Sequence, residues 1–156
     1  MAADPPAVPS PAPTALDFNK ELLCGECGAL IVANAAALLA AHFTPRPTII
    51  SATAVVGTLV GGSFFWLAVR LYDRSRRVGY ARKEMTSDIG YFTPAAISLG
   101  LVVYDPSLYA TSQYLLRRDS PVAWAVTAGQ GIAFGLFLAA MNVYRVFLRR
   151  ICGKRL

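Results

Sequence analysis

The chain has 156 residues, 55% of them hydrophobic and 15% charged, with a net charge of +6 and a mean hydropathy of +0.46. Soluble domains carry about 25% charged residues, so this composition argues against a water-soluble domain and for a single membrane domain, whose surface need not be polar. The basic residues flank apolar runs, which points to anionic lipid head groups as partners and away from nucleic acid.

Residues 1–15 (MAADPPAVPSPAPTA) hold five prolines and no basic residue. They lack the positive start and apolar core of a secretory signal and read as a disordered, polyproline-like tail. A four-helix transmembrane domain is expected over 16–150, and a basic cytoplasmic tail over 151–156.

The first span opens near Asp17, a plausible helix N-cap, and covers Leu22–Phe43, with Glu26 the acid inside the apolar stretch and His42 at its far end. Pro45-Arg46-Pro47 makes a turn, because neither proline suits a helix interior. A second span runs from Thr48 to about Tyr72. The third is irregular: Ile89–Tyr104 is apolar, but Pro94 and Asp105-Pro106 interrupt it. It reads as one long kinked helix from about Asp88 to Leu116, or else as a short span followed by an interfacial helix over Ser107–Leu116. After a turn at Arg117–Ser120, Ser120-Pro121 starts a fourth span, Val122 to Val143, closed by Arg145, Arg149 and Arg150. The expected fold is therefore all-α, a polytopic integral membrane protein with four transmembrane helices arranged as two antiparallel hairpins.

Charge sets the orientation. Arg70, Arg74, Arg76, Arg77, Arg82 and Lys83 lie between the second and third spans, and Arg145, Arg149, Arg150, Lys154 and Arg155 follow the fourth. An even number of crossings puts both clusters on one side, which the positive-inside rule makes cytoplasmic. A multi-pass protein of the cell membrane with both termini in the cytoplasm is the expectation. At an offset of 72, Gly28, Gly57, Phe65, Ala68, Tyr72 and Arg77 match Gly100, Gly129, Phe137, Ala140, Tyr144 and Arg149, so the second hairpin can be read as a copy of the first or as a chance likeness.

Small residues recur at helical spacing: Gly57 and Gly61, Gly131 and Gly135, and Ala33, Ala37 and Ala41. In lipid such stripes let backbones approach, either within one chain or between subunits. Glu26 and Asp105 are the intramembrane polar candidates. A charge at bilayer depth costs about 2.5–3.5 kcal/mol, so such groups usually face a bundle interior, where they could bind a cation or a proton or pair with Arg70. The bland reading has both hydrated near an interface, Glu26 on the cytoplasmic side and Asp105 on the outer one.

Cys24 and Cys27 form a C-x-x-C, the spacing in which one thiolate attacks and the other resolves. No second cysteine pair exists to pass electrons on, and the sole histidine, His42, falls at the opposite end of the span, so no metal or cofactor is expected. Cys152, beside the membrane, is a candidate for palmitoylation. Trp66, Tyr72, Tyr80, Tyr91, Tyr109, Tyr114, Trp124 and Tyr144 fall mostly toward span ends, as an interfacial belt does. No motif of a nucleotide-binding loop, nucleophile elbow or zinc protease is present, so an enzyme is not the expectation.

The reading that fits most features is a non-catalytic subunit or homo-oligomer that packs by small-residue helix faces, with other membrane subunits or its own copies as partners. The alternative is a small transporter or lipid-linked-substrate flippase using Glu26 and Asp105. In its four-span plan and its Asn142-x-x-Arg145-x-Phe147 ending the chain resembles the GtrA-like family of polyprenyl-lipid translocation proteins, which would imply such an activity. A membrane thiol oxidoreductase using Cys24 and Cys27 is the weaker alternative.

Overall fold

The computed structural model describes residues 15–75, 90 and 93–151, and among these there is no strand. Helix α1 is Ala15–Phe43 and α2 is Pro47–Ser75. A third helical run covers 93–116: a segment over 93–99, a π-helical turn Gly100–Tyr104, and α3, Asp105–Leu116. Helix α4 is Val122–Ile151. The described fold is thus all-α, and Leu22–Phe43, Pro47–Val69 and Val122–Arg150 are long and apolar enough to cross a membrane. The proline-rich stretch before Ala15, residues 76–89 and Cys152 lie outside the described residues.

One local expectation is corrected, and of the two readings of the third run the continuous helix is the one observed over 93–116. Asp17 lies inside helix α1, Ala15–Phe43, and so does not cap it. The irregularity of the third run is a register change within a continuous helix. Pro106 has no N–H to give Val102 four residues back, and the Asp105 N–H reaches Gly100 C=O, five residues back. One surplus residue is thereby absorbed without ending the helix.

The turn at residues 117–119 ends with Asp119 at φ 56°, a left-handed conformation that a short polar side chain tolerates. The Ser120 N–H donates back to Leu115 C=O at 3.2 Å, and Ala125 N–H to Pro121 C=O at 2.9 Å opens α4. Both hairpins are tight: α1 packs on α2 and α3 on α4. The pairs α1 with α4 and α2 with α3 close a square bundle.

At the turn end, Ala33, Ala37, Ile50, Ala54, Leu116, Ala125 and Val126 bring all four helices together, with Ala41 partly buried beside them. Tyr104, Leu108 and Ala133 fill the middle, and Leu22 and Met141 the other end. Glycines draw α1 and α2 together. A Cβ on Gly57 would lie 2.8 Å from Ala33 Cα, and one on Gly61 would collide with Gly28 O. Gly131 and Gly135 face outward, with nothing within 4 Å of a Cβ placed on either. Gly57 and its offset partner Gly129 each sit against the first helix of their own hairpin, the latter against Leu108 and Ser112.

Side-chain hydrogen bonds cross between helices: Asn34 Nδ2 to Thr127 Oγ1 at 3.3 Å, Gln113 Nε2 to Thr48 Oγ1 at 3.0 Å, and Asn142 Nδ2 to Asn19 Oδ1 at 3.2 Å. Such bonds hold helices together where apolar contact brings no hydrophobic gain. The outer surface is apolar, with Phe64 69%, Val102 72% and Val143 69% exposed. Lipid accepts such a surface at no cost, whereas water would drive it to aggregate.

Candidate functional site: a carboxylate in an apolar cavity between the helices

Below the middle of the bundle, α1, α2, the third run and α4 line a cavity of about 430 Å³. Leu22, Ala29, Leu59, Leu67, Ile97, Leu101, Phe134 and Phe137 form apolar walls. Trp66 and Tyr104 add aromatic faces, and Glu26, Thr58, Ser63, Thr93 and Asp105 supply the polar groups.

Helical spacing puts Glu26 here. Leu22, Ala29, Ala33 and Ala37 are the buried stripe of α1, and Glu26 falls in the same stripe, four residues after Leu22 and three before Ala29. The neighbouring glycines let α2 come close: a Cβ on Gly25 would stand 3.2 Å from Trp66 Cβ. On the third run, Tyr104, Leu108, Ser112 and Leu116 repeat every four residues as the inward face.

Tyr104 and Glu26 meet across the bundle. The Tyr104 hydroxyl donates to Glu26 Oε1 at 2.9 Å and lies 3.0 Å from Oε2. The Tyr104 ring stands edge-on to Phe137, centroids 6.0 Å apart. Gln130, 1% exposed, donates to Thr58 Oγ1 at 3.3 Å, and its Oε1 is buried with no hydrogen-bond partner. The Tyr104–Glu26 and Gln130–Thr58 pairs thus bring one polar side chain from each of the four helical runs into the bundle interior.

The half-buried Asp105 follows Tyr104 and borders the same cavity, midway along 93–116. Arg70 lies on α2, but its side chain is outside the described residues. Cys24 is half-buried and Cys27 exposed on α1. Among the described residues no three of His, Cys, Asp and Glu gather as a metal site would need. Tyr104, Gln130, Thr58 and Trp66 were not legible as site residues from composition. Their shared signal is a polar group on the inward helical stripe of an apolar run, the criterion that also places Glu26.

The chain matches no protein-family model, no curated protein and no solved structure. The likeness of the Asn142–Phe147 ending to the GtrA-like proteins thus stands on those residues alone.

The Tyr104–Glu26 pair is testable. Tyr104→Phe leaves the Glu26 carboxylate without its described donor and should cost about 1–3 kcal/mol of stability. Glu26→Gln in the same background should recover part of that loss, since a neutral amide needs the donor less. Detergent-denaturation curves of the two single variants and the double variant give the coupling directly. Strictly additive effects would show that the two side chains do not act on one another.

Proposed function

We propose that the chain is a small four-span transporter of the cell membrane, which binds its substrate in the cavity between the four helical runs with Glu26 as the binding group. The observation that carries this reading is the Glu26 carboxylate: it lies inside an apolar cavity and is met by the Tyr104 hydroxyl. A carboxylate used only for solubility has no reason to sit on the inward face of a membrane helix, where its desolvation costs stability. The fourth crossing is supported by length, since residues 93–116 extend about 36 Å at the rise of an α-helix. The distribution of Lys and Arg supports a cytoplasmic setting for both termini and for the basic segment that follows α2. Reporter fusions at Leu156 and near Gly79 should then read cytoplasmic and one near Asp119 should not. A lumenal or periplasmic signal at Leu156 would sink the four-span topology.

The activity itself is tested in proteoliposomes on a sensor membrane, challenged in turn with inorganic cations, organic amines, organic anions and neutral solutes. Charge movement evoked by one class in the wild type, and lost in Glu26→Gln, is the expected result. Silence toward every class, with Glu26→Gln more stable than the wild type, would remove the transport reading.

A second reading has its own observation. Gly131 and Gly135 lie on the outer face of α4 beside Ile132 and Leu136, both about half exposed. That face fits a non-catalytic subunit or homo-oligomer whose α4 packs on a neighbouring helix. Subunits that co-elute in mild detergent would favour it.

A further inference from the structure

We infer that the cavity binds a lipophilic organic cation, an amine or onium group on an apolar body, which reaches Glu26 sideways from the bilayer between α2 and the third helical run. The inference rests on the reading above for its membrane setting and for the working role of Glu26.

Charge selects the ligand's sign. Glu26 and Asp105 are the ionisable carboxyls on the cavity, and no described basic side chain lines it. The described partner of Glu26 is the Tyr104 hydroxyl, which has one proton to give, so most of the carboxylate's acceptor capacity remains open. A cation is attracted strongly at such a site because the walls are apolar. An anion would meet two carboxyls and, among the described lining residues, no cation to offset them. A hard divalent metal would need six or more oxygen ligands, which two separate carboxyls and a few hydroxyls do not provide.

Shape and wall chemistry select the rest. A volume of about 430 Å³ suits a small organic molecule and far exceeds what a bare ion occupies. Trp66, Tyr104 and Phe137 border the space, and aromatic ring faces attract onium groups through their quadrupole. A sugar or peptide would leave most of its polar groups unpaired against leucine and isoleucine walls.

The route is set by the rim. Leu59 and Leu67 on α2 and Ile97 and Leu101 on the third run line the cavity, yet are 45%, 48%, 57% and 57% exposed. The cavity therefore opens on a flank of the bundle, where Leu59 and Leu67 belong to an apolar membrane-length stretch, Pro47–Val69. A molecule that partitions into hydrocarbon meets this opening directly; a hydrophilic one does not.

The chain's two tryptophans allow a direct test. Trp124 is 63% exposed and lies away from the cavity, so Trp124→Phe leaves Trp66 as the sole reporter in the full-length protein in detergent. Titration with tetraphenylphosphonium should change Trp66 fluorescence saturably. Triphenylphosphine oxide, neutral and similarly aromatic, should bind at least tenfold more weakly. Glu26→Gln should weaken the cation at least tenfold and leave the neutral compound unchanged. Ser63→Leu, which adds bulk at an exposed lining position, should weaken both and remains available if Glu26→Gln does not fold. Equal affinity for the cation and the neutral compound, or wild-type binding in Glu26→Gln, would overturn the inference. So would wild-type binding in Ser63→Leu.

The same cationic chemistry could come from an amine lipid head group or from a free molecule. Added phosphatidylethanolamine that displaces tetraphenylphosphonium where phosphatidylglycerol does not identifies the lipid as the source; no displacement by either identifies a free cation. Failure here is distinguishable from failure of the transport reading. Charge movement with another solute class but no phosphonium binding overturns the ligand class alone. Glu26-dependent phosphonium binding in liposomes that move no charge keeps the ligand class and removes transport.

Discussion

Gly61→Leu is expected to disrupt the α1–α2 hairpin, lowering stability by about 3 kcal/mol or preventing folding, while Gly131→Leu leaves the single chain intact. The difference lies in what each new side chain meets. A Cβ on Gly61 strikes Gly28 O and stands 2.8 Å from the Val32 side chain; the first is backbone and cannot rotate aside. Overpacking in a tight core costs about 1–3 kcal/mol where side chains can adjust, and more where they cannot. A Cβ on Gly131 meets nothing within 4 Å. Thermal melts and elution profiles of both variants provide the measurement. If the α4 face packs on a second copy or another subunit, Gly131→Leu should leave the melt unchanged and shift the elution volume. Equal stability of Gly61→Leu and the wild type would show that α1 and α2 are not in backbone contact.

What could be read in the sequence divides along a physical line. Apolar length marked α1, α2 and α4, because only an uninterrupted run can satisfy its backbone in hydrocarbon. The turn at Arg117–Ser120 was legible from its polar composition, and the close approach of α1 and α2 from Gly57 and Gly61. The inward position of Glu26 was also in principle legible, since it shares a helical stripe with Ala33, Ala37 and Ala41 at steps of seven, four and four.

The other half of the site was not. Tyr104 is an ordinary aromatic in an apolar run until the fold brings it to Glu26, seventy-eight residues away. Trp66 reads as an interfacial belt residue, because nothing local says that Gly25 and Gly62 draw α1 and α2 together beside it. The outward direction of Gly131 and Gly135 was equally hidden. A glycine pair has the same spacing whether it faces a neighbour in the chain or the lipid, and only the rotation of α4 decides. The Cys24-Cys27 pair likewise had a suggestive spacing, yet its two thiols differ in exposure and gather no further ligand among the described residues.

The third helical run is where sequence and site meet, and it gives the second large effect. Deleting Val102 alone removes the surplus residue of the π-helical turn: Gly100 C=O, already the acceptor of the Asp105 N–H, then stands four residues back as in a regular helix, and the flanks stay in phase. Deleting Val102 and Val103 together takes out one residue more. Helix α3 is held in place by the buried Leu108, Ser112 and Leu116 and by the Gln113–Thr48 hydrogen bond. In the double deletion the segment 93–99 must therefore take up the change, rotating by about 100° and shifting by about 1.5 Å. Tyr104 moves with α3 and should keep its bond to Glu26, so the coupling between those two side chains survives. Ala96, Ile97 and Gly100, which wall the cavity from the other side of the turn, rotate away. Binding of a cavity ligand should consequently fall at least tenfold in the double deletion. The single deletion is the control: it should keep wild-type binding with little loss of thermal stability, since a π-helical turn is itself the poorer hydrogen-bonding geometry and the 72% exposed Val102 contributes little to the core. If the double-deletion variant binds tetraphenylphosphonium and moves charge as the wild type does, the phase that the third run keeps across the turn has no part in shaping the cavity.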